Sequence, residues 1–156
     1  MTISQSGQFQ SLIDTTANNS VGEYGYLVQS ANSLVSINSN MLLISGGGSG
    51  TNRFSFGNIV WSGNTYATGF LLWYDIQNNT IVDLKTMGGY SNANVVPNIN
   101  KLNNNSIALT SYFSSDIDIL DQLTLTNSNG GNNYKFVSSI DFQGTVNWVQ
   151  QLSGWG

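Results

Sequence analysis

The sequence predicts an all-β chain made of four-stranded antiparallel sheets in tandem. Three observations lead there. No window spaces apolar residues by three and four with capping residues at its ends, so helix patterning is absent. Short runs rich in Val, Ile, Leu, Phe, Tyr and Thr alternate with Gly, Asn and Ser clusters, as strands alternate with turns. One pattern also recurs: "FQSLID" at Phe9–Asp14, "FLLWYD" at Phe70–Asp75 and "FVSSID" at Phe136–Asp141.

The strands are expected near 7–13, 24–29, 34–37, 41–46, 53–60, 68–75, 80–86, 95–99, 106–112, 116–120, 134–141 and 145–152. Turns are expected at "SGGGSG" (45–50), "WSGNT" (61–65), "QNNT" (77–80), "KLNNNS" (101–106) and "NSNGGNN" (127–133). Asn and Gly suit these places because they tolerate left-handed backbone angles, and Asn bonds locally to the main chain.

The recurring aspartates, Asp14, Asp75 and Asp141, stand 61 and 66 residues apart. More of the chain keeps that register. "NMLLISGGGSGTNRFSFGNIVW" (40–61) aligns with "SIALTSYFSSDIDILDQLTL" (106–125), and "IVDLKTMGG" (81–89) with "VNWVQQLSG" (146–154). A fixed spacing of this size signals a repeat architecture. The expected organisation is one repeat domain over 1–156, with a half unit at 1–32, a unit at 33–89 and a unit at 95–154. A single four-stranded sheet cannot bury both of its faces, so neighbouring units must cover them.

Residues 106–156 carry Tyr134, Phe136, Val137, Asp141, Gly144, Trp148 and Gly154 in the order of a blade motif. In this they resemble the seven-bladed β-propeller repeat family. The match covers this stretch well and 40–89 loosely. The resemblance implies blade-like sheets around an axis. Half a unit plus two units supplies about ten strands, too few to close a ring of four to eight blades. The expectation is therefore an incomplete ring in one chain, completed in a homo-oligomer or a larger protein assembly. The alternative fold is a three-fold lectin-like β-trefoil or β-prism, set against by the unequal units.

Composition narrows function more by exclusion than by assignment. The chain has 156 residues, enough for one domain with a core. Charged residues are 8% and net charge is −4. Arg53, Lys85, Lys101 and Lys135 are the only bases and are scattered, so no nucleic-acid partner is expected. "MTISQSGQFQ" lacks the basic start and apolar run of a signal peptide. No stretch reaches the length of a membrane span. Cysteine and histidine are absent, which removes thiolate chemistry, His-based triads and His-ligated zinc. No cofactor, metal or catalytic residue is expected, and the chain reads as a non-enzyme.

Candidate site residues remain. Asp14, Asp75 and Asp141 could form a repeated ligand site, but each lacks the additional acids that calcium needs. The plainer reading is a turn in which the carboxylate accepts main-chain N–H groups, with Gly144 completing the last of them. In "SSDIDILD", with Asp116, Asp118 and Asp121, the first two share a strand face and could hold a cation, but no Gly and Glu follow at loop spacing, so the plainer reading is a solvated face of an outer strand. Trp61, Tyr90 and Trp155 are the candidate ligand or partner contacts, with core and contact equally open for Trp61 and Trp155. Trp148 reads as packing between units.

Two functional readings follow. The first is a structural or interaction module presenting a rigid β-repeat surface for protein binding or self-assembly, in a virion or at a cell surface. The second is a carbohydrate-binding module in which aromatic rings stack on sugars while amides bond hydroxyls.

Overall fold

In a computed structural model, the structure describes residues 2–3, 9–11, 29–56, 59–89, 95–127 and 134–152, with side chains from 31–47, 69–89, 95–127 and 134–152. The elements are β1 (Thr2–Ile3), β2 (Phe9–Ser11), β3 (Gln29–Ser36), β4 (Met41–Phe56), β5 (Ile59–Asp75), β6 (Thr80–Gly89), β7 (Asn98–Lys101), β8 (Ser106–Phe113), β9 (Ile117–Ile119), β10 (Leu123–Leu125), β11 (Tyr134–Asp141) and β12 (Val146–Leu152). No helix occurs among the described residues. No helix there is long and apolar enough to cross a membrane.

Apart from the short β1–β2 ladder, the strands form two antiparallel sheets. One has six strands in the order β10-β9-β6-β5-β4-β3, and the other has four in the order β12-β11-β8-β7. These are not blades around an axis, which corrects the propeller expectation, and the described residues show no three-fold arrangement either. The physical reason lies in the β9–β10 hairpin. It belongs to the later unit in sequence, yet it pairs with the earlier one through Met87↔Ile119 and Gly88↔Asp118. Gly89 allows this, because a Cβ there would collide with the Asp116 carbonyl.

Two expected turns are interior to strands. "SGGGSG" lies in β4 and "WSGNT" in β5. Glycine in a strand marks a bulge as readily as a turn. The ladder does shift register between Gly47 and Thr51 and between Thr51 and Arg53. Strand β10, Leu123–Leu125, falls between the strands expected near 116–120 and 134–141.

Side-chain alternation puts the core between the sheets. Val35, Leu43, Leu71, Trp73 and Met87 from the six-stranded sheet pack with Ile99, Ile107, Leu109, Phe136 and Ile140 from the four-stranded sheet. Phe113 stacks on Tyr134 with centroids 5.7 Å apart. Leu42, Ile44, Phe70, Leu72, Tyr74 and Ile81 form a second buried cluster on the far face of the six-stranded sheet. At one side of the molecule the hydroxyls of buried Ser45 and half-buried Ser33 tie the sheets together. Ser45 Oγ donates to the Pro97 carbonyl at 2.7 Å and lies 2.6 Å from Ser33 Oγ, which accepts from the Ile99 N–H at 2.8 Å.

Each sheet contains the same four-strand meander, β3-β4-β5-β6 in one and β7-β8-β11-β12 in the other. The turns match in detail. Asn40 N–H donates to Asn38 Oδ1 and Asn105 N–H to Asn103 Oδ1, both at 2.8 Å. Ile37 N–H meets the Met41 carbonyl and Leu102 N–H the Ser106 carbonyl, both at 3.0 Å.

Candidate interaction surface

Asp75 and Asp141 each end the third strand of a meander. Asp75 accepts the Asn78 N–H at 3.0 Å and its amide at 2.8 Å. These bonds, the main-chain one foremost, hold its carboxyl below the usual carboxylate range. Asp141 accepts the N–H groups of Gln143 at 2.9 Å and Thr145 at 2.7 Å. Partial burial pushes its carboxyl up, but bonds from Thr145 and Gln143, with Lys85 nearby, outweigh this and the carboxyl lies below its ordinary value. Both carboxylates are therefore occupied by their own turns.

The tip of the β11–β12 hairpin is also fastened to the other sheet. Trp73 Nε1–H donates to the Phe142 carbonyl at 2.7 Å. Lys85 Nζ donates to the Gln143 carbonyl at 2.8 Å and sits 5.7 Å from the Trp73 ring centroid. Gln122 donates to the Gly144 carbonyl at 2.7 Å and accepts the Val146 N–H at 2.8 Å. Gly144 has φ +77°, the left-handed conformation that a side chain disfavours. This cluster is structural, since its polar atoms are consumed by one another.

Asp116 and Asp118 are likewise engaged. Asp116 accepts the Asn127 N–H at 2.7 Å, and Asp118 the Thr124 hydroxyl at 2.7 Å. Among the described residues no group of three acids, histidines or cysteines could hold a metal ion.

Of the contacts expected from sequence, Trp61 lies in β5 opposite Phe54, and its side chain is outside those described. Asp14, Tyr90 and Trp155 also lie outside the described residues.

A different surface stands out, the outer face of the four-stranded sheet. Register fixes its composition. One row reads Asn100, Ala108, Ser139, Trp148; the next Asn98, Thr110, Val137, Gln150; the third Tyr112, Lys135, Leu152. Trp148 is 50% exposed, Leu152 44% and Tyr112 41%. Lys135 is the only charged side chain in these rows. Strand β12 forms the edge of the sheet, has no strand paired on its outer side among the described residues, and carries neither charge nor proline. Such edges are open to pairing.

Trp148 is thus corrected from packing between units to an exposed position. Tyr112 and Leu152 were missed. The alternation in "SIALTSYF" puts Tyr112 opposite in sense to buried Ile107, Leu109 and Phe113, which was the available signal.

No known protein family, no curated protein and no solved structure matches this chain. The resemblance of 106–156 to the seven-bladed β-propeller repeat family is therefore not upheld, in keeping with the two-sheet architecture.

Proposed function

We propose that the chain is a non-enzymatic interaction module whose contact surface is the outer face of the four-stranded sheet. The observation that carries this is Trp148, half exposed on a strand in an almost uncharged row of small and amide residues. Aromatic enrichment with depletion of charge is the composition of interface centres, and Trp is the commonest residue to dominate their energy. The rigid hairpin stitching behind this face keeps it in shape, which lowers the ordering cost of binding. A component of a particle or a cell surface would use such a module.

A photo-reactive residue placed at Gln150 tests this in the native setting. Cross-linking to a protein, lost on Trp148→Asp, is the expected result. An absence of any cross-link at that face would overturn the reading.

A sugar-binding reading is favoured by one feature, the amides of Asn98, Asn100 and Gln150 on the same face as Trp148. A glycan array decides it: specific binding abolished by Trp148→Ala supports a lectin, and a blank array leaves the protein interface.

A further inference from the structure

The two meanders do not meet through equivalent faces. At the spacing of 65–66 residues, the core-facing residues Ile107, Leu109, Phe136 and Ile140 of the four-stranded sheet correspond to Leu42, Ile44, Phe70 and Tyr74. Those four lie on the far face of the six-stranded sheet, away from the interface between the sheets. The units therefore stack front to back. The front of the later unit covers the back of the earlier one.

This identifies the outer face of the four-stranded sheet. It is the back of the later unit, the counterpart of the surface made by Leu43, Leu71, Trp73 and Met87, which is covered by a β-sheet of this same chain. At corresponding places it carries Ala108, Val137, Ser139 and Leu152. It is less apolar than its counterpart, yet Tyr112 and Trp148 restore large rings to it. Among the described residues the front of the earlier unit is already buried. The sheet face that a second molecule still presents there is the same outer face.

We infer that this face is covered by the same face of a second copy, giving a two-fold dimer with sheet packed on sheet. The inference rests on the reading of this face as an interaction surface and specifies its partner. A two-fold contact sets one patch against itself. Self-contact costs little electrostatically here, since the described acids Asp75, Asp83, Asp116, Asp118, Asp121 and Asp141 lie outside the three rows and Lys135 is the only charge within them; Asp141, one row further along opposite Ser106, is bonded by its own turn. Four strands at about 4.8 Å spacing and eight residues at about 3.3 Å rise give a flat footprint of about 500 Å². Stable interfaces bury about 800 Å² per partner. The dimer is therefore of the weaker class and forms with rising concentration.

Sedimentation velocity on the full chain, from micromolar to millimolar concentration, tests this. The expected mass climbs from the chain value of 16.9 kDa toward twice that value. Trp148→Asp and, separately, Tyr112→Lys hold it at the chain value with an unchanged thermal unfolding curve. Val82→Asp, which alters an exposed residue of β6, leaves the association intact. A single-chain mass across the whole range overturns the inference, as does association that survives both outer-face substitutions. If the chain stays single while the probe at Gln150 captures a different protein, the second-copy inference fails and the interaction reading stands. If neither occurs, both fail.

Discussion

A Cβ placed on Gly144 would lie 2.7 Å from the Trp73 ring, so the hairpin tip of one sheet rests against the indole of the other with no room between them. The contact ties the β11–β12 turn to the packing between the two sheets. Gly144→Ala should destabilise the protein by about 2–4 kcal/mol, from the left-handed backbone and the forced displacement of the ring. Chemical denaturation followed by Trp fluorescence measures it. An unchanged midpoint would show that the tip is not held against Trp73.

The indole N–H makes a separable contribution. Trp73→Phe keeps a ring in the core but leaves the Phe142 carbonyl without its donor. A loss of about 1–3 kcal/mol is expected, accompanied by faster hydrogen exchange at Gly144 and Thr145.

The turn aspartates give stability a pH dependence. Asp75 and Asp141 both have folded-state values below the ordinary one. Their contribution is present above the unfolded carboxylate value, about 3.9, and is lost as pH falls through the lower folded values. Urea midpoints should drop from about pH 5 toward pH 2. Asp141→Asn should flatten that slope, and a slope identical to the unmodified protein would refute the assignment.

Ser138 lies fully buried in β11, and its hydroxyl has no hydrogen-bond partner among the described residues. Ser138→Ala removes a desolvated polar atom while keeping the backbone ladder. The variant should be as stable as the parent or more stable by about 1 kcal/mol. A marked loss would mean that the hydroxyl is bonded in solution.

Position on the sheet separates two aromatic residues of the same hairpin. Phe136→Ala should cost about 3–5 kcal/mol, because it empties the core between the sheets. Trp148→Ala should stay within about 0.5 kcal/mol, as surface changes do. Comparing their thermal midpoints checks the inner and outer assignments directly.

The sequence alone determined what is local. The alternation in "SIALTSYF" set Ile107, Leu109 and Phe113 on one side and Tyr112 on the other, because side chains in a strand point to opposite faces in turn. Asn and Asp at the ends of strands located the turns after Asp75, Lys101 and Asp141, where short side chains bond the neighbouring main chain. Tertiary structure decided the rest. Whether "SGGGSG" bends or runs straight depends on the strand beside it, and β5 supplies a ladder that carries it through as a bulged strand. Whether Trp148 is core or surface depends on which face of its sheet another sheet covers. That choice was made by β9 and β10 crossing to β6 and by the units stacking front to back, both of them contacts between segments far apart in the chain. Period-two patterning fixes which residues share a face, but only long-range pairing selects the face that is removed from water.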